Sequence, residues 1–189
     1  MGEAAMIRPA RPDETETLIA MADRTGAFKP IEIETLRSVL DDYFARDCDE
    51  RDRAIIIEHN DQLLGFAYFG PTEMTDRSWH LYWIFVDPTV QARGFGGKLM
   101  EYVESTIHKL GGRLLIIETS GLASYDATHH FYRKLGYARA ATVPDFYADG
   151  DDLVFFTKRL AELPRTSDSP HFVVDSVASS GVGQMAATY

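Results

Sequence analysis

Apolar residues recur along this chain with two periods, one typical of helices and the other typical of strands. A spacing of three to four residues predicts helices that begin at Arg11, after Pro30, at Gly97 and at Ala123. Short apolar or alternating runs predict strands, at residues 6–9, 54–58, 63–69, 78–86, 113–118, 137–143 and 153–157. The order β-α-α-β-β-β-α-β-α-β-β predicts an α/β fold, with a central twisted mixed sheet of about seven strands flanked by about four helices.

Local features of these runs place the strands more closely. Residues 78–86 are apolar on both faces beyond His80, which predicts a central strand. A polar turn at 59–61 joins the two preceding strands into a hairpin, where Gly65 predicts a bulge or close packing. Residues 144–152 are polar and acidic, so we expect a loop there that roofs a compact pocket.

The last part of the chain, residues 161–189, differs in composition from the rest. It is rich in Pro, Ser and Gly, and only the stretch 171–177, HFVVDSV, is typical of a strand. We therefore expect one domain at 1–160. The extension that follows is either weakly structured or an arm at the interface of a homodimer.

Composition argues against several classes of protein. Acidic residues outnumber basic ones by 29 to 19, and the net charge of −10 repels a polyanion, so we expect no nucleic-acid partner. Such a surface attracts amines, although acidity also serves solubility alone. The longest apolar runs are about six residues, too short to span a membrane, and no secretory signal opens the chain. Cys48 is the only cysteine, so we expect a reducing, cytoplasmic setting without an internal disulfide.

A glycine-rich turn follows the apolar strand at 78–86 and leads into a helix. It reads Q-A-R-G-F-G-G-K from Gln91 to Lys98, and its glycines let the backbone bend and present N–H groups. Those groups and the positive end of the helix dipole favour a phosphate or pyrophosphate. The turn is not a Walker loop, and Leu99 stands where the dinucleotide motif has its third glycine. A glycine-rich turn without a ligand is the alternative.

This turn resembles the pyrophosphate loop of the GNAT superfamily, the acetyl-coenzyme A-dependent N-acetyltransferases. Residues 131–137, FYRKLGY, resemble the F-Y-x-x-x-G-[FY] helix end of the same enzymes, and the likeness spans about residues 5–160. It implies the GNAT fold, acetyl-CoA as cosubstrate, and a set of cofactor-binding residues: Ile84, Phe85, Val86, Gln91, Ala92, Arg93, Gly94, Phe95, Gly96, Gly97, Lys98 and Tyr125. Gln91 and Ala92 stand where the family often has arginine and glycine, and we expect the alanine to cost little.

The resemblance also assigns catalytic roles. It makes Tyr132 the proton donor to the departing coenzyme A thiolate, which leaves more readily when a hydroxyl protonates it; the alternative is an aromatic residue that only packs. It places the oxyanion on backbone N–H groups of residues 84–86. Tyr125 replaces an asparagine that often contacts pantetheine, so Tyr125 faces either pantetheine or the amine pocket.

The attacking amine must lose a proton, directly or through water. Residues 78–86 contain no carboxylate, and Glu118, which follows four aliphatic residues of a buried strand, is the best candidate base. The alternatives for Glu118 are to cap the following turn or to pair with Arg113 or Arg139.

Other candidates concern the substrate. His80 and Tyr82 share one face of their strand and are weaker candidates for the base or for substrate contact. Phe146 and Tyr147, in the predicted loop, are candidates for substrate contact. No metal is expected, because the adjacent pair His129-His130 diverges by about 100° on a helix, and the other histidines and the cysteine show no ligand spacing.

The sequence thus predicts direct transfer of an acetyl group to a primary amine of a small molecule, such as an amino acid. The alternatives are transfer to a protein N-terminus or lysine, and a non-catalytic CoA-binding regulatory protein. An open groove between the first two helices and the last hairpin would indicate a peptide acceptor, and a closed groove a small molecule.

Overall fold

The predicted order of elements is confirmed by a computed structural model, which describes residues 5–45 and 52–160. The helices are α1 (Thr15–Arg24), α2 (Pro30–Ala45), α3 (Phe95–Lys109) and α4 (Asp126–Lys134). The strands are β1 (Met6–Pro9), β2 (Arg53–His59), β3 (Gln62–Pro71), β4 (Ser78–Val86), β5 (Leu114–Ser120), β6 (Ala138–Ala148) and β7 (Asp151–Arg159). Cys48 and residues 161–189 lie outside the described residues, so the expectations for them stay predictions.

The strands form one mixed sheet in the order β1-β2-β3-β4-β5-β7-β6. Neighbouring strands are antiparallel except β4 and β5, which run parallel because α3 makes the crossover between them. β4 has three strands on each side, as its apolar sequence predicts. The predicted fold, one mixed sheet of seven strands with four helices, is confirmed.

Helices cover both faces of the sheet and bury two separate apolar cores. One core packs Leu18 of α1 and Leu36 of α2 against the sheet, and the other packs Leu99 of α3. Successive residues of β2 enter opposite cores, with Ile56 in the first and Ile57 in the second. Burial of each such aliphatic side chain contributes about 1.5–3 kcal/mol, which fixes the helices on both sides of the sheet.

Backbone geometry confirms the predicted hairpin between β2 and β3. Asn60 and Asp61 have φ of 51° and 59°, as a two-residue type I′ turn requires. The strand register shifts next to Gly65, where a Cβ atom would lie 2.9 Å from the carbonyl oxygen of Phe85. The predicted bulge and close packing at Gly65 are both present.

The prediction of a loop at 144–152 is wrong. β6 continues to Ala148 and β7 begins at Asp151, so the two strands are joined by a turn of two residues. Residues 144–147 form a bulge opposite Asp152. β6 is an edge strand with every residue exposed, so no buried face required the apolar alternation from which strands are predicted.

Candidate active site

β4 and β5 separate at the centre of the sheet. They pair as far as Leu81 and Ile117, although β4 runs on to Val86 and β5 to Ser120. Among the described residues, β4 beyond Leu81 pairs with β3 alone, so its other edge presents backbone N–H and C=O groups to the gap. Residues 84–86, which the resemblance assigned to the coenzyme and the oxyanion, lie on this open stretch.

A bulge in β4 accompanies the separation. Tyr68 of β3 faces Trp83 and the next residue, Phe69, faces Leu81, which leaves Tyr82 as the extra residue. The ring of Tyr82 stacks on that of His80 with centroids 5.0 Å apart. The predicted common face of these two side chains is confirmed.

The glycine-rich turn lies at the carboxyl end of β4, beside the gap. Gly94 has φ of 85° and caps α3 without a side-chain hydrogen bond. The first helical bond runs from Lys98 N–H to the Gly94 carbonyl, so the N–H groups of residues 95–97 point out of the helix without a helical acceptor. A Cβ atom at Gly97 would meet nothing within 4 Å. These exposed donors at a helix N-terminus fit a pyrophosphate.

Side chains of the turn differ in what they offer. Gln91 and Arg93 are exposed, and the Lys98 ammonium lies 5.5 Å from the centroid of the Phe95 ring. Ala92 has φ of 62°, in the left-handed region. An L side chain there costs roughly 1 kcal/mol or more, so the expectation that this alanine costs little is wrong.

Asp87 anchors the segment that precedes this turn. It accepts hydrogen bonds from the hydroxyl and backbone N–H of Thr89 and from Arg24 of α1, the last at 2.7 Å. Thr89 first, and then Arg24, lower the pKa of the Asp87 carboxyl to about 2. The carboxylate therefore ties α1 to the segment that leads into the glycine-rich turn.

A cavity of about 330 Å³ occupies the gap between β4 and β5. Its walls also include the α1–α2 connection, α2, α4 and the β6–β7 hairpin. It brings together these predicted site residues: His80, Tyr82, Ile84, Glu118, Tyr125, Tyr132 and Tyr147. The side chain of Phe85 instead enters the core beside Phe28, and Phe146 packs on the ring of Tyr147 outside the lining.

Tyr132 combines burial with access to this cavity. Its ring packs between Tyr137 and Phe156, with centroids 5.8 and 5.7 Å away. Burial raises the pKa of the Tyr132 hydroxyl, so it stays protonated at neutral pH and is available as a donor. Tyr137 is excluded from that role, because its hydroxyl donates to Glu104 of α3 at 2.9 Å and does not line the cavity.

Glu118 lies beside His80, with 3.5 Å between Oε1 and Nε2. Burial raises the pKa of the Glu118 carboxyl and lowers that of the His80 imidazole. Arg113 donates to the carbonyl of Asp76 and Arg139 donates to Thr142, so the predicted alternative of an arginine paired with Glu118 is wrong. Two neighbouring groups in the cavity are thus able to accept a proton.

Sequence reasoning missed a buried carboxylate on β7. Asp151 is 3% exposed and lines the cavity. It accepts a hydrogen bond from the Ser120 hydroxyl at 2.5 Å and one from Lys29 Nζ at 3.3 Å. Its run, D-G-D-D, is typical of an exposed turn. In the structure the turn is shorter than predicted, so Asp151 belongs to β7 and its side chain is buried.

Two contacts join the α1–α2 connection to other walls of the cavity, and the second of them crosses the groove between the first two helices and the last hairpin. Tyr125 donates its hydroxyl to the carbonyl of Ala27 at 2.8 Å and so connects the turn before α4 to the α1–α2 connection. The ion pair of Lys29 with Asp151 joins the same connection to β7. These contacts close the groove, the arrangement expected for a small acceptor.

Within residues 5–45 and 52–160, no group of three or more His, Cys, Asp or Glu side chains is placed to hold a metal ion. None of the described helices is long and apolar enough to cross a membrane.

Comparisons with known proteins agree with this geometry. A family model described as an acetyltransferase (GNAT) domain matches residues 50–139. A GNAT-family acetyltransferase structure from Desulfovibrio desulfuricans aligns with a TM-score of 0.80 and 30% identity, over 84% of this chain and all of that one. The ribosomal-protein-S18-alanine N-acetyltransferase of Escherichia coli aligns at 0.70 and 20%, over 86% and 98%. An aminoglycoside 6′-N-acetyltransferase complexed with coenzyme A aligns at 0.67 and 16%, over 84% and 99%. No curated protein matches the sequence.

The divided sheet and the glycine turn define an acyl-CoA-dependent transferase. The chain belongs to the GNAT family, and it is an acetyltransferase that uses acetyl-CoA as cosubstrate. The predicted family, enzyme class and cosubstrate are confirmed. The open edge of β4 and the free N–H groups of residues 95–97 fit the coenzyme, which supplies an acetyl thioester as the activated donor.

Proposed function

We propose that this enzyme acetylates a primary amine of a small molecule of about the size of an amino acid. The closure of the acceptor groove carries this proposal. Tyr125 contacts Ala27, and Lys29 contacts Asp151, across the face where a peptide would have to lie. The cavity behind these contacts, about 330 Å³, is at the small end of ligand pockets, which span roughly 300–1,000 Å³.

Residues around the cavity supply each proton movement of a direct transfer. Glu118, or His80 beside it, takes the proton of the ammonium and so frees the nitrogen lone pair for attack. Backbone N–H groups of residues 84–86 hold the negative charge that develops on the carbonyl oxygen. As the C–N bond forms and the C–S bond breaks, Tyr132 gives its proton to the departing sulfur. The second proton lost by the nitrogen then restores the Tyr132 hydroxyl.

The alternatives are a protein acceptor and a non-catalytic role. The fold is shared with an enzyme that acts on an alanine of a ribosomal protein, but a peptide would have to separate both groove contacts. A regulatory protein that only binds CoA would have no need for a proton acceptor and a proton donor in the same cavity. Glu118, His80 and Tyr132 all line the same cavity here.

An acceptor screen with acetyl-CoA tests the proposal by following release of free thiol. Small amines and amino acids should give turnover, and peptides with free N-termini or lysines should react far more slowly. Release with peptides alone would establish a protein acceptor. If no amine gives thiol release while calorimetry shows acetyl-CoA binding, the non-catalytic alternative holds.

A further inference from the structure

We propose that the acceptor carries a second positive charge, so that its class is a short diamine, or a larger compound with two amines in reach, rather than a free amino acid. This inference rests on the proposed function and names the substrate class of the same cavity. Charge balance, the position of the carboxylates and the aromatic walls support it.

Charges in the cavity do not balance. Three carboxylates, those of Glu32, Glu118 and Asp151, line it together with one ammonium, that of Lys29. With His80 neutral, this leaves a net charge of −2. Lys29 is already paired with Asp151, whose other oxygen is held by a serine hydroxyl. Among the described residues, no lysine or arginine lies at ion-pair distance from Glu32 or Glu118, so these two carboxylates have no cationic side-chain partner.

The carboxylates act on one space but approach it from different sides. The pKa of Tyr147 is raised to about 12, first by burial and then by Glu118, Glu32 and Asp151. The pKa of Tyr125 is raised by burial and then by Glu32 and Asp151. Glu32 accepts a hydrogen bond from the backbone N–H of Lys29 and Asp151 accepts one from its ammonium, close to Ala27, whose carbonyl accepts from Tyr125. These two carboxylates therefore lie on the Tyr125 side of the cavity, whereas Glu118 lies at the separated strands, next to His80.

This separation matches two amines on one short chain. The reacting amine lies at the separated strands, where Glu118 or His80 takes its proton, and the second ammonium remains charged beside Glu32. Uncompensated carboxylates in a partly buried site cost free energy that a bound cation recovers. The carboxylate of a free amino acid would instead meet Glu32 and Asp151, and the one lysine able to attract it is already paired.

Aromatic walls suit the same ligand. Phe28, Trp83, Tyr125 and Tyr147 line the cavity, with the Phe28 and Trp83 rings 5.3 Å apart. Ring faces attract ammonium groups and also cover the methylene chain between them.

Three acceptors of equal chain length test the inference on the full chain: diaminobutane, butylamine and aminobutyrate. We expect kcat/KM for diaminobutane to exceed that for butylamine by about tenfold or more, with aminobutyrate the poorest. Glu32→Gln should reduce the diamine preference about fivefold or more. Glutamine still accepts the hydrogen bond from Lys29 N–H that precedes α2. The matched control is Glu34→Gln, because Glu34 is an exposed residue of the same helix and does not line the cavity. It should leave the diamine preference unchanged.

The outcomes separate this inference from the proposed function. Equal rates for butylamine and diaminobutane, a preference for aminobutyrate, or an unchanged preference in Glu32→Gln would overturn the dicationic class while small-amine acetylation stands. Absence of thiol release with every amine of the wider screen would overturn the proposed function itself.

Discussion

Tyr132 and Tyr137 are both buried aromatic residues at the end of α4, and both hydroxyls have raised pKa values. Only Tyr132 lines the cavity, whereas Tyr137 donates to Glu104. We predict that Tyr132→Phe lowers turnover roughly 10²-fold, the usual scale for the loss of a positioned proton donor. The KM for acetyl-CoA should change little, because the ring remains. Steady-state kinetics on folded protein measure both.

Tyr137→Phe is the matched control for this prediction. Loss of its hydrogen bond to Glu104 should lower the free energy of unfolding by about 1 kcal/mol and leave turnover nearly unchanged. Wild-type turnover in folded Tyr132→Phe would show that Tyr132 is only a packing residue.

Glu118 and His80 compete for the role of base, and their shifted pKa values limit what a pH profile alone can decide. Burial raises the pKa of Glu118 above 4.5 and lowers that of His80 below 6.5. Either base is active when deprotonated, so the rate should rise with pH through a limb below neutrality in both cases. We predict that Glu118→Gln removes this limb and lowers the rate at pH 7 by roughly 10²-fold.

His80→Gln is the companion variant, because it removes the other proton acceptor and keeps a polar side chain. If the limb survives in Glu118→Gln with a loss of tenfold or less, and disappears in His80→Gln, His80 is the base. A limb that survives in both variants indicates an amine deprotonated in solution.

At the scale of elements, the turn that leads into α3 contains a position where coenzyme binding can be changed without loss of helix stability. Gly97 faces open space in the first helical turn. We predict that Gly97→Asp keeps the fold, because a carboxylate suits a helix N-terminus, but weakens acetyl-CoA binding by about tenfold or more, because it repels the pyrophosphate. Gly97→Asn has nearly the same shape without the charge and should bind better than Gly97→Asp. Equal calorimetric affinities of both variants and wild type would place the pyrophosphate elsewhere.

The same turn holds a strained alanine that glycine would relieve. Ala92 is exposed and has φ of 62°. We predict that Ala92→Gly raises the free energy of unfolding by roughly 0.5–1 kcal/mol, measured by denaturant titration. The control is Ala20→Gly at an exposed position inside α1, which should lower it by about 1 kcal/mol. A loss of stability in Ala92→Gly would mean that the alanine costs nothing there.

Across the whole molecule, features formed by residues close together in the sequence could be predicted, and contacts between residues far apart in the sequence could not. The glycine turn and the helix end around Tyr132 are continuous in sequence, and both lie where the pattern predicted. β6 could not be recognised over its full length, because an exposed edge strand has no buried face to impose alternation. The Tyr125–Ala27 and Lys29–Asp151 contacts join residues 98 and 122 positions apart in the sequence. No local pattern therefore predicted Lys29 or Asp151 as cavity residues. Glu118 could be predicted as a cavity residue because the pattern that indicates it is local: its own strand is apolar up to that residue.

Closure of the groove supplies a test that involves several elements at once. Tyr125 donates to the carbonyl of Ala27 and lines the acceptor cavity. We predict that Tyr125→Phe raises the KM for the amine severalfold and leaves the KM for acetyl-CoA unchanged, because the α1–α2 connection loses one of its two contacts with the other walls of the acceptor cavity. The free energy of unfolding should fall by no more than about 1 kcal/mol, since the bond is exposed. Tyr102→Phe, on the exposed face of α3, should change neither KM. A rise in the KM for acetyl-CoA alone would instead place Tyr125 against pantetheine, the first of the two roles predicted for it from the sequence.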